Sequence, residues 1–410
     1  MKAILSYKNR PNNSFLITIP GSKSESNRLL ILQALYANLT INNLSTSDDT
    51  QCLIQGLKNN NGTVDIHHAG TAMRFLSAYF ASKESTNINL TGSERMQERP
   101  IKILVDALTS LGADINYLKN EGYPPLKVKG KVLENSYLMI NANVSSQYIT
   151  ALMLIAPSLN NGLKIELEGE ITSIPYIEMT LDLLQKIGIT CSLSHNCIAI
   201  EPQHEIKDLN IDVESDWSSA SYFYSIVALS ENMEITLKYF RKNSLQGDSE
   251  LAEIYKLLGV TTEFNSSENT ITLKRNDKKI PSFLELNLNQ TPDIAQTIIV
   301  TCLGLGITCK LTGLKTLKIK ETDRLEALYI ELSKLGANCK ITSESIELLP
   351  SSGIKANVLI DTYQDHRMAM AFAPLSLVTT IEIKEPNVVS KSYPTFWEDL
   401  QKIGVEVQIK

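Results

Sequence analysis

The chain has 410 residues, a formal net charge of −6, 43% hydrophobic and 20% charged residues, a balance that predicts two globular domains and excludes a general nucleic-acid binder. No apolar run nears the ~20 residues that cross a bilayer, so no membrane partner is expected. The six cysteines lack any CxxC pair, which removes a disulfide framework and a zinc ribbon. His67 and His68 are adjacent rather than four apart, so no helical metal face is offered.

In chain order, Met1–Tyr7 predicts a strand and not a targeting peptide, which makes the cytoplasm the expected location. A second strand, 15–19, turns into a helix over 26–37 through Pro20-Gly21-Ser22-Lys23-Ser24-Glu25. A helix start carries unpaired N–H groups and partial positive charge. Lys23 and Arg28 add to that charge, so this junction suits a phosphate or a carboxylate; the plain alternative is a capping serine with solvated basic neighbours.

Beyond it, one pattern repeats: an amphipathic helix, then Leu/Ile-Gly-small, then a short alternating strand. Its glycines are Gly112, Gly188, Gly259, Gly336 and Gly404, at intervals of 76, 71, 77 and 68 residues. Each suits the left-handed position that ends a helix. A weaker copy spans 52–64, with Gly62 at the helix end. Six copies in 410 residues give about 68 each, too long for a solenoid repeat and right for a βαβ-containing unit. Two groups of three predict two similar domains, with a cleft between them as the ligand site. Gly304-Leu305-Gly306 lacks the rest of a dinucleotide fingerprint and reads as a helix-to-strand junction.

Polar segments interrupt this pattern at Lys23–Arg28, His68–Arg74, Glu94–Pro100, Ser145-Ser146-Gln147, Pro292-Asp293, Lys320–Arg324, Asp365–Met370 and Ser390–Pro394. The chain has only nine arginines, and six of them (Arg28, Arg74, Arg95, Arg99, Arg324 and Arg367) fall in these segments. Where lysine serves for general surface charge, arginine points to its planar fork and to a small polyanionic ligand. Gly70 before a helix lets a ligand approach the backbone. Asp293 and Glu321 suit acid–base work, and Lys23 and Lys391 suit charge stabilisation. Ordinary alternatives stand beside these: Asp323 and Asp365 as helix caps, Arg99 as a partner of Glu98.

Taken together, PGSKS-x-SNR, AGTAMR, RM-x-ERP, SSQ, PYIEMTL, the Pro292-Asp293 pair, KETDR, DHRMAM and a late lysine resemble, in order and from end to end, the 5-enolpyruvylshikimate-3-phosphate synthases of the enolpyruvyl transferase family. The resemblance implies an α/β fold of two domains, each of three βαβαββ-like units in an inside-out α/β barrel. It places the chain crossings near 19–21 and 213–216, giving a discontinuous domain of 1–20 plus 214–410 and a second of 21–213. It implies transfer of the enolpyruvyl group of phosphoenolpyruvate to the 5-hydroxyl of shikimate 3-phosphate by a monomer without metal or cofactor.

By matching position, the resemblance gives Lys23, Asp293, Glu321 and Lys391 catalytic roles. Shikimate 3-phosphate would be held by Lys23, Ser24, Arg28, Ser145, Ser146, Gln147, Ser173, Asp293 and Lys320. Phosphoenolpyruvate would be held by Lys23, Gly70, Arg95, Gln147, Arg324, Arg367 and Lys391. His68, Thr316 and Ile174 depart from the usual residues. The sister enzyme, UDP-N-acetylglucosamine enolpyruvyl transferase, uses a loop cysteine, and RM-x-ERP here contains none. A binding protein that had lost catalysis would lack Asp293, Glu321 or Lys391, and all three are present.

Overall fold

The structure is a computed structural model, and it describes residues 1–8, 13–141, 146–169, 171, 174–276 and 279–410. The chain divides into two compact units, Met1–Pro20 with Glu214–Lys410 and Gly21–Val213. Among the described residues no helix is long and apolar enough to cross a membrane.

Among the described residues, five four-stranded sheets repeat one plan, βαβαββ, in which a parallel pair of strands is followed by two antiparallel ones. In the 21–213 unit, Asn61–Asp65 pairs in parallel with Asn87–Thr91, which pairs antiparallel with Leu126–Lys129 and that with Asp114–Tyr117. The sheet built on Tyr137–Asn141 and Leu163–Glu168 follows the same order. In the other unit the plan recurs from Phe283–Asn287 to Ile346–Leu349. It recurs again from Val358–Ile360, where the N-terminal strand Lys2–Tyr7 supplies the third place in the sheet.

The five repeat glycines all adopt positive φ, between 83° and 106°, and each separates a helix from its strand. A side chain there would strain the backbone, so these positions carry the helix stops. The sixth copy differs from expectation. Helix Asp48–Leu57 ends before Gly62, which lies inside strand Asn61–Asp65 with φ 98°. The chain passes from that helix directly into the next unit's first strand, so among the described residues the sixth sheet has the parallel pair Leu39–Asn42 and Leu209–Asp212 alone.

Connectivity exchanges between the two units at matching points. Strand Ser14–Ile17 of the first leads to helix Lys23–Leu35 of the second, and strand Leu209–Asp212 of the second leads to helix Trp217–Leu229 of the first. Gly21 follows the first exchange: a Cβ there would sit 1.9 Å from the Asn43 carbonyl oxygen, so only glycine fits without moving backbone.

Helices buried all round form the centre of the discontinuous unit, which is why they show little amphipathic period. Helix Trp217–Leu229 is buried from Trp217 to Ala228, and Ala295–Leu305 from Ala295 to Leu303. Their polar residues pair with each other. Ser221 Oγ lies 3.0 Å from Thr297 Oγ1, Thr301 Oγ1 donates to Ser225 Oγ at 2.7 Å, and Tyr255 OH lies 2.8 Å from Thr301 Oγ1. Unpaired buried hydroxyls are costly, so these pairs fix the register of the two helices. The constant offset brings the first turns of both helices to one level, and with them Ser218 and Asp293.

Candidate active site

In the 21–213 unit the first helix starts at Lys23, three residues earlier than the sequence predicts, and its strand ends at Ile17. Ser22 caps it, its Oγ accepting from the Glu25 N–H at 3.4 Å. Lys23 and Ser24 therefore occupy the half-buried first turn, and Arg28 lies one turn deeper, 3% exposed.

Three helices converge on the Arg28 guanidinium. Its Nε donates to Thr180 Oγ1 at 2.9 Å, Nη1 to the Ser24 carbonyl at 2.7 Å, and Nη2 to Thr150 Oγ1 and the Tyr176 carbonyl at 3.3 Å each. Phe75 and Tyr176 present ring faces at 5.9 and 5.7 Å. Its hydrogen-bond partners among the described residues are hydroxyls and carbonyls, with no carboxylate. Burial lowers its pKa to about 10, against small opposing effects of Tyr176 and Glu25.

Gly70 begins helix Gly70–Ser82, whose N-terminus has no side-chain cap. A Cβ on Gly70 would lie 2.6 Å from Arg99 Nη1, so Arg99 rather than Arg95 borders this backbone. Arg95 is 56% exposed and pairs with Glu98 at 2.9 Å, the partner that the sequence offered to Arg99. Arg74 is structural: it donates to the Gly70 and Pro100 carbonyls at 3.2 and 3.0 Å and joins the helix start to the Glu94–Pro100 segment. Ser146 and Gln147 open helix Ser146–Ile155, and Gln147 Nε2 reaches Thr71 Oγ1 at 3.5 Å. Ser145 and Ser173 lie outside the described residues.

The discontinuous unit assembles a denser set. Arg324, 1% exposed, meets three carboxylates: Asp365 Oδ2 from Nε at 2.7 Å, Asp293 Oδ1 from Nη1 at 2.9 Å, and Glu321 Oε2 from Nη2 at 2.8 Å. Lys320 Nζ lies 3.5 Å from Asp293 Oδ1, and Arg367 Nη2 lies 3.4 Å from Asp293 Oδ2. Arg367 Nη1 also donates to the Asp293 carbonyl at 3.1 Å. Lys391 donates to the Gln364 carbonyl at 2.6 Å, beside the start of the helix that carries Arg367.

Burial alone would lower the Arg324 pKa, but Asp365, Glu321 and Asp293 outweigh it and hold the guanidinium above its ordinary value. Arg367 is raised in the same way, burial being overcome chiefly by Asp293. Both arginines stay charged at any working pH.

Short helix starts set these side chains. Asp323 caps Arg324–Lys334, accepting from Leu325 and Glu326 N–H at 3.2 Å, and takes no other role in the cluster. Asp365 is both cap and counter-ion: its Oδ1 accepts from the Arg367 N–H at 2.9 Å while its Oδ2 binds Arg324. Sequence reasoning missed Thr150 beside Arg28 and Ser218 and Asp248 beside Arg367, and it quoted Tyr176 and Thr180 within PYIEMTL without linking them to Arg28. None lies near its partner in the chain, so spacing carried no signal of these contacts.

Repeated βαβαββ units bearing clustered arginines, lysines and carboxylates offer the charge that small polyanions require. A family model described as EPSP synthase (3-phosphoshikimate 1-carboxyvinyltransferase) matches residues 57–400. A 3-phosphoshikimate 1-carboxyvinyltransferase of Bacteroides fragilis is 48% identical over 398 residues, 96% of either chain. That of Colwellia psychrerythraea is 35% identical and covers 95% of this chain and 96% of its own. A solved EPSP synthase from Acinetobacter baumannii superposes with a TM-score of 0.79 at 20% identity, over all of both chains, and shares the fold. The chain belongs to the EPSP synthase family and is a transferase.

Proposed function

We propose that the two clusters act in one reaction, in which the enolpyruvyl group of phosphoenolpyruvate passes to the 5-hydroxyl of shikimate 3-phosphate and phosphate is released. The activity is that of the family, a step of the shikimate route to aromatic amino acids. The observation that carries the residue roles is Asp293, a carboxylate held between Arg324, Lys320 and Arg367.

Arg324, Arg367 and Lys391, with Gly70, Arg95 and Gln147, bind the donor's phosphate and carboxylate. Arg28, Ser24, Ser145, Ser146, Gln147, Ser173 and Lys320 bind the acceptor, and Lys23 contacts both. Glu321 takes a proton from the Lys391 ammonium and passes it to the donor's methylene carbon, which leaves C2 electrophilic. The acceptor oxygen bonds to C2 as Asp293 takes its proton. Return of a methyl proton then restores the double bond as the C2–O bond to phosphate breaks, and phosphate departs with the electron pair. A general base so placed contributes about 10²–10⁴ in rate, and the fixed cations stabilise charge without reorganising.

The two compact units are the two domains of this reading, and the protein works as a monomer in the cytoplasm. Purified protein incubated with both substrates releases phosphate, and omission of shikimate 3-phosphate stops it. Equal release from phosphoenolpyruvate alone would mark a phosphatase and end this reading; size-exclusion chromatography at about 45 kDa supports the monomer.

A further inference from the structure

The segment after strand Glu234–Lys238 carries no family assignment above, yet it is locked to the start of helix Trp217–Leu229. Gln246 Oε1 accepts from the Trp217 N–H at 3.0 Å and its Nε2 donates to the Ser215 carbonyl at 2.8 Å. Glu214 accepts from Trp217 Nε1 at 2.9 Å, the Arg241 N–H at 2.8 Å and Ser244 Oγ at 2.6 Å. These bonds deliver Asp248, buried in the short turn Gly247–Glu250, against Ser218, whose Oγ donates to Asp248 Oδ2. Ser218 Oγ in turn accepts from Arg367 Nη2 at 3.3 Å. A continuous chain results: Asp248, Ser218, Arg367, Asp293. The hydroxyl pairs between the two buried helices hold Ser218 and Asp293 at one level.

We propose that Ser218 and Asp248 are positioning residues that hold the Arg367 guanidinium for the anionic donor, with Asp248 setting how much of its charge is left for the ligand. The inference deepens the reading of Arg367 as a donor-binding residue and rests on it. Around Asp248 stand Asp293 on the turn Pro292–Ile294, Arg367 on the helix His366–Phe372, and Asp216 and Ser218 at the start of Trp217–Leu229. From the helix that follows its own turn, Glu253 and Lys256 face solvent as an exposed pair. Burial first, and the Asp293 charge second, push the Asp248 carboxyl up to about 7, with Arg367 opposing. Arg367 thus lies between two carboxylates, one of which gains a proton near neutrality. An anion arriving at Arg367 favours protonated Asp248, and by linkage protonated Asp248 favours the anion.

The test measures KM for each substrate across pH 6–8 in Ser218→Ala, Ser218→Thr, Asp248→Asn and Arg367→Lys proteins. Ser218→Ala is expected to raise KM for phosphoenolpyruvate about tenfold, the worth of one charge-assisted hydrogen bond. Its kcat and its KM for shikimate 3-phosphate should stay within about threefold, and Ser218→Thr should restore the loss. Asp248→Asn imitates the protonated acid, so its KM for phosphoenolpyruvate at pH 8 should fall below that of the wild type, and the difference should vanish by pH 6. An equal rise in both KM values, or lower thermal stability with an unchanged KM, would show a merely structural role and overturn the inference. If Arg367→Lys leaves KM for phosphoenolpyruvate unchanged, the reading of Arg367 itself falls. If Arg367→Lys raises it and Ser218→Ala does not, only the inference falls.

Discussion

Arg28 and Arg324 are both buried and both held by three elements, yet their surroundings are opposite. Arg28 sits among hydroxyls, carbonyls and aromatic faces, and burial lowers its pKa to about 10. Arg324 sits among three carboxylates, which raise it. A guanidinium whose hydrogen-bond partners are neutral keeps most of its charge for an incoming anion. One already neutralised by Asp293, Glu321 and Asp365 is fixed in place instead, and its value lies in the preorganised carboxylates it holds. The first suits a group that binds an acceptor tightly, the second a group that holds the proton-transferring carboxylates Asp293 and Glu321 in place beside a donor.

This contrast can be broken at graded points. The largest expected effect is Asp293→Asn, which should lower kcat about 10³-fold while leaving the dissociation constant for shikimate 3-phosphate, measured by calorimetry, within about threefold; equal loss of both would signal misfolding. Next, Asp365→Asn removes a fully buried counter-ion of Arg324 and should cost roughly 3 kcal/mol of stability in urea unfolding. A loss below about 1 kcal/mol would mean that Asp293 and Glu321 already suffice.

A smaller effect carries a sign. The folded pKa of Asp248 lies near 7, above its unfolded value of about 3.9. Its protonated form therefore favours the fold at low pH, and that contribution is lost as pH rises through 7. Asp248→Asn should match the wild type in stability near pH 4 and exceed it by up to about 4 kcal/mol at pH 8; a constant offset across that range would contradict the raised pKa. Smallest, Thr180→Val deprives Arg28 Nε of its acceptor and should cost about 1 kcal/mol, along with a few-fold rise in KM for shikimate 3-phosphate.

The fold was legible where backbone chemistry leaves a mark in the sequence. Helix-stopping glycines at 112, 188, 259, 336 and 404 announced the repeat because few other residues accept positive φ. Gly62 misled for the same reason: its positive φ is real, but it bends a strand instead of ending a helix. The start of the first helix was placed three residues late because Lys23-Ser24-Glu25 has weak apolar patterning, while the cap at Ser22 decides the boundary. Within the site, the charged members were visible as runs of Arg, Lys, Asp and Glu. Their supports were not, since Thr150 and Thr180 reach Arg28 from helices more than a hundred residues away in sequence. Asp365 shows the limit of choosing between a cap and a functional residue, since it is both.

The most direct test of the division between acceptor-binding and donor-binding arginines compares Arg28→Lys with Arg367→Lys in a phosphate-release assay, with KM determined for each substrate. The account predicts opposite patterns. Loss of the Arg28 fork should raise KM for shikimate 3-phosphate by about 30-fold and leave that for phosphoenolpyruvate within about threefold, and Arg367→Lys should do the reverse. If both substitutions raise both KM values alike, Arg28 and Arg367 do not serve separate substrates and the account is wrong.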